Sequence, residues 1–217
     1  MRAYGFTALL GMAVLSIPAG SQEPVPVVAI HVTGVDLLSV PEDREMRTVV
    51  NAIFARIGVR IAWIDGKPNR GDAFAQEPLI HVQFVRLAMG SHSSGALAYA
   101  SPFAKGFKTI TVLCDRIHFV AGSRRRAPLV LAHTLAHELG LVLEGTNRHS
   151  QTGIMKALWD TQDFLAMEKA QLEFGSTDQE LIGAALKPDA RGVCTPGRCQ
   201  STASVVPPEL PSLGRIQ

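Results

Sequence analysis

The sequence predicts a mixed α/β (α+β) fold, with one buried helix in mid-chain and further helices toward the C-terminal end. Three observations point there. From residue 27 a strand-like stretch, an amphipathic helix and a second strand-like stretch follow one another. Further strand-like runs come before residue 115. Residues 127–144 are apolar nearly all round a helical wheel, and two more helix-start signals follow them. Strands first and helices later, around one core, is the α+β pattern.

In order along the chain, residues 27–32 read as a strand. Ser39-Val-Pro-Glu42 has the form of a capping box with proline in the first turn. Met46, Val49, Val50, Ile53, Phe54 and Ile57 then trace one helix face, which Gly58 ends. Residues 59–64 alternate up to the turn signal Asp65-Gly66, residues 79–85 form a third strand candidate, and residues 109–114 a later one. Asp115-Arg116 reads as the end of that strand, with a local ion pair. In the helix 127–144, Pro128 suits the first turn and Gly145 the stop. Asp160-Thr-Gln-Asp163 and Thr177-Asp-Gln-Glu180 look like two more helix starts.

Length and composition bound the function. A chain of 217 residues with an apolar share of 47% can build one domain with a substantial core. Its net charge of +2 argues against nucleic acid as a partner. Arg124-Arg125-Arg126, the one dense basic run, reads as a solvated loop before a helix. At the N-terminus, Arg2, the largely apolar residues 3–17 and the small residues of Pro18-Ala19-Gly20-Ser21 form an export signal over residues 1–21. The apolar run is shorter than the ~20 residues that span a bilayer. It predicts a secreted or periplasmic protein with no stable membrane association after signal cleavage. A domain over 26–190 follows, then a Pro-rich, disordered tail over 191–217. In that tail Cys194 and Cys199 flank Pro196-Gly197, where a small disulfide loop suits an exported chain. Cys114 reads as a buried, inert thiol.

The chemistry concentrates between residues 131 and 159. His137-Glu138-Leu-Gly-Leu141 is a His-Glu-x-x-His pattern with leucine in place of the second histidine. In the intact pattern, residues four apart share a helix face, so two imidazoles reach one zinc ion and the glutamate activates its water. Gly145, His149 and Gly153-Ile-Met155 follow at spacings found around such centres.

With those residues the segment resembles the metzincin-type zinc metallopeptidases, and among them small exported bacterial proteins expected to be such peptidases. The resemblance spans residues 27–186 and is most specific over 132–159. It implies a zincin-like fold, a mixed twisted sheet with an active-site helix and C-terminal helices, and zinc as cofactor. His137 and His149 match two zinc ligands and Glu138 the general base, while Met155 matches the methionine that floors the metal site in a tight turn. Gly145 matches the turn glycine one residue late, which moves the next ligand to His149 rather than Asn147. Residues 95–102, with Leu97, Ala98, Tyr99 and Ala100 at their centre, are similar to the edge strand that pairs with an extended substrate.

Leu141 is where this chain departs from the family. A side chain without a lone pair cannot coordinate metal, so a full catalytic zinc set needs a substitute. His133, four residues before His137, is the possible one, although it lies a helical turn, about 5–6 Å, from where His149 returns. His81, His92 and His118 stand alone and read as surface or core residues. Two functions follow. One is a zinc-dependent peptidase of reduced activity; the other is an inactive relative that binds a peptide or protein through the retained cleft.

Overall fold

A computed structural model of the chain describes residues 25–66, 79–86, 95–100, 108–169 and 172–187. The expected signal and tail, the cysteine pair Cys194–Cys199, and His92 lie outside them. Five strands, β1 (Val27–Thr33), β2 (Arg60–Asp65), β3 (Leu79–Val85), β4 (Ala98–Ala100) and β5 (Lys108–Leu113), form one sheet in the order β2-β1-β3-β5-β4. All pair in parallel except β4, which runs antiparallel to β5 at the edge. Five helices complete the α+β fold: α1 (Val40–Ala55), α2 (Cys114–Ala121), α3 (Ala127–Glu144), α4 (Thr161–Lys169) and α5 (Ser176–Leu186).

The core lies where one face of the sheet meets α1 and α3. Val28, Ile30 and Val32 of β1 alternate inward with Ile80, Val82 and Phe84 of β3. They pack with Met46, Val50, Ile53 and Phe54 of α1, and with Leu131, Leu135 and Leu139 of α3. Ser39 and Glu42 cap α1 reciprocally, as the sequence pattern requires. Pro128 sits in the first turn of α3 and Gly145 ends it at φ 65°, a conformation that favours glycine. Asp160 accepts the backbone N–H groups of Gln162 and Asp163, while Asp163 accepts that of Asp160, so the α4 start stands.

Three expectations change. The strand expected over residues 109–114 is β5, one residue earlier, but Asp115-Arg116 does not end it: the chain enters α2 at Cys114 directly. Arg116 donates to the Ala96 carbonyl at 2.8 Å, tying α2 to the segment before β4. The α5 start lies earlier than Thr177, because Asp178 reaches back to the Gly175 N–H at 2.9 Å. His81 is not isolated; it stacks on His31 across β1 and β3 at 5.2 Å. His118 sits at the surface and pairs with Glu42 at 2.7 Å. Among the described residues no helix is long and apolar enough to cross a membrane.

Candidate functional site

A cleft of about 690 Å³ opens between β4, α3 and the segment that follows α3. One face of α3 delivers Thr134, His137, Glu138 and Leu141 to it, as spacings of three and four residues dictate. Tyr99 and its β4 neighbours form one wall, and His149, Leu158 and Trp159 come from beyond the helix.

His137 Nδ1 lies 2.8 Å from the Ile154 carbonyl. A carbonyl can only accept, so Nδ1 carries the hydrogen and Nε2 keeps its lone pair. Burial pushes the His137 pKa down, against the Ile154 hydrogen bond, and so favours the neutral, ligating form. A backbone carbonyl behind one nitrogen is also how proteins orient metal-binding imidazoles. His149 is brought back by the turn at Gly145, whose N–H bonds the Leu141 carbonyl at 3.0 Å. Its ring lies 5.3 Å from that of His137, inclined by 24°. Arg148 pins this return between Glu144 and the buried Asp178, and Trp159 meets His137 edge-on at 5.9 Å.

Met155 is fully buried. Its carbonyl accepts the Ser150 N–H at 2.8 Å, closing the loop over residues 150–155. Gly153 has φ +74°, and a Cβ there would lie 2.4 Å from the Glu173 carbonyl oxygen. Helix α3 is notched to receive the methionine, since a Cβ on Gly140 would come within 2.7 Å of Met155 Sδ.

Glu138 is 7% exposed. Burial pushes its carboxyl up to about 7, against a hydrogen bond from the Ala100 backbone that favours the charged form. The register explains that bond. The Leu113 N–H pairs with the Leu97 carbonyl, and Ala98 and Ala100 lie opposite Val112 and Ile110. Leu97 and Tyr99 therefore point their peptide groups at β5, whereas those of Ala98 and Ala100 turn to the outer edge.

Not every expected residue reaches the cleft. His133 is fully buried and does not line it. Its Nδ1–H donates to the Leu129 carbonyl at 2.8 Å, and its Nε2 accepts the Leu172 N–H at 3.1 Å. Burial lowers its pKa to about 4. With both nitrogens engaged, His133 has no lone pair to offer a metal. Leu141 lines the cleft one turn beyond His137, at 7% exposure.

Catalytic zinc takes about three protein ligands and an open position. Here two imidazoles and an apolar side chain stand at those places, and among the described residues no three metal-binding side chains come together. The donor set does not fit catalytic zinc. Val120, Leu158, Trp159 and Phe164 also line the cleft, though none was marked from the sequence as a site residue. Leu158-Trp159 just before the Asp160 cap offered a signal, as apolar residues that continue no helical or strand period.

No protein-family model and no curated protein matches the chain. Among solved structures it is similar to the crystal structure of metalloproteinase-II from Bacteroides fragilis, with 11% sequence identity and a TM-score of 0.45. The likeness covers 76% of this chain and 54% of that one, so this chain spans about half the length of the protein it resembles.

Proposed function

We propose that this is an exported, metallopeptidase-like protein whose cleft holds an extended polypeptide, and whose hydrolysis of that polypeptide is lost or severely reduced through Leu141. One observation carries the reading: His137, Glu138, Leu141 and His149 line a single cleft beneath the edge strand β4. An outward strand edge binds an extended chain through main-chain hydrogen bonds. Ala98 turns its peptide groups to that edge, while the Ala100 N–H is engaged by Glu138. The Ile154 hydrogen bond leaves His137 Nε2 with its lone pair and His149 stands beside it, which supports descent from a metal centre that has no third donor here. Loss of a direct ligand costs more than the 10- to 100-fold typical of losing a group behind a ligand.

Elemental analysis of the purified chain beside its Leu141→His variant tests this. We expect zinc well below one ion per chain in the wild type and a clear gain in the variant, with chelator-sensitive cleavage of unfolded casein confined to the variant. One tightly held zinc in the wild type, with cleavage that a chelator abolishes, would overturn the reading.

A further inference from the structure

We infer that Leu141 converts the place of a metal ligand into the floor of an apolar subsite, so that the cleft selects an extended polypeptide carrying a large apolar side chain. The inference rests on the polypeptide-binding reading above and adds what is selected. Leu141 is not withdrawn into the core alone: it lines the cleft together with Leu97, Val120, Leu158, Trp159 and Phe164. Two of these expose large apolar surface to water, Leu158 at 80% and Val120 at 39%. Exposed apolar surface gathered in a concave place marks a binding site.

The polar groups of the cleft argue for the same occupant. Among the described residues, its ionisable side chains include Glu138, Lys156 and the imidazoles of His137 and His149. Lys156 is already held by Asp160 at 2.8 Å and Asp163 at 2.6 Å, and Glu138 is buried against Ala100. A charged side chain entering over Leu141 would lose water, and neither Lys156 nor Glu138 is free to offset that loss. An apolar one gains contact with Leu141 and relieves the exposure of Leu158. The occupant is a polypeptide rather than a free apolar molecule because β4 turns the backbone groups of Ala98 to its outer edge, beside the same cleft.

The test is titration calorimetry of the full chain in chelator with blocked heptapeptides Thr-Ser-Ala-X-Ala-Ser-Thr, where X is leucine, phenylalanine, alanine or aspartate. We expect leucine and phenylalanine to bind at least about tenfold more tightly than alanine or aspartate, as burial of a few methylenes in a pocket allows. Leu141→Asn should collapse that preference. Leu158→Ser, at an exposed position that folding tolerates, should weaken it several-fold. Equal affinity for all four peptides, or a preference unchanged in both variants, overturns the inference and leaves polypeptide binding standing. Binding of N-acetyl-leucine amide as tight as that of the leucine peptide overturns it in favour of a small apolar ligand. If no heptapeptide binds the wild type at all, the polypeptide-binding reading fails, and the inference with it.

Discussion

Replacing His133 with glutamine should flatten the acid limb of this protein's stability curve. His133 is neutral in the fold because burial lowers its pKa to about 4, whereas an unfolded-chain histidine titrates near 6.5. Between those values the unfolded state binds more protons, so stability rises with pH. The contribution is fully present above pH 6.5 and is lost as pH falls toward 4. Linkage over that gap gives a loss of roughly 2–3 kcal/mol between pH 7.5 and pH 4.5. Glu138 opposes it. Its carboxyl is raised to about 7 in the fold, so the folded state holds the extra proton and stability from that group falls as pH rises from about 4.5 to 7. The two slopes overlap, which makes the wild-type curve alone uninformative. The difference between wild type and His133→Gln isolates His133, because glutamine can donate to the Leu129 carbonyl and accept from the Leu172 N–H without titrating. Urea denaturation at half-unit steps from pH 4.5 to 7.5 measures it. Parallel curves for the two proteins would refute the assignment of a buried, neutral His133.

Two further outcomes follow from the packing. Gly140→Ala gains about 1 kcal/mol of helix propensity, but its Cβ would come within 2.7 Å of Met155 Sδ and 2.9 Å of Phe174 Cε1. Overpacking of that kind costs about 1–3 kcal/mol, so a net loss of about 1 kcal/mol and a lower Tm are expected; a rise in Tm would show that the notch in α3 is slack. Cys114 is buried and its thiol is pushed up to about 11, by burial first and then by the charges of Glu42 and Asp115. It should stay unlabelled by iodoacetamide at pH 8 in the folded protein and label readily in urea, as peptide mapping would read.

Much of this fold could be read from residue order alone, and the exceptions have physical reasons. Helices α1 and α3 announce themselves by period and caps: Ser39 and Glu42 for the first, Pro128 and Gly145 for the second. Helix α2 was hidden because it starts directly after β5, so Cys114 seemed to extend an apolar strand. Its burial spacing, Cys114, Ile117 and Ala121, shows only once the strand is cut at Leu113. The histidines divide similarly. A motif places His137 and His149, but no spacing could say that the His133 nitrogens would be spent on the Leu129 and Leu172 backbones. Apart from the out-of-period pair Leu158-Trp159, the apolar side of the cleft carries no sequence signal, since Val120 and Leu158 are far apart in sequence and share a pocket only after folding.

The hydrogen bond between Ala100 and Glu138 has a consequence apart from any chemistry in the cleft. A sheet that ends in an uncovered strand offers its outward amides to the same strand of another copy, which is a route to aggregation. β4 is only three residues long, and one of its outward amides is taken by a carboxylate from its own helix. Glu138 thus guards the rim of the sheet. That bond gives Glu138 a structural duty at the end of the sheet, independent of what the cleft holds.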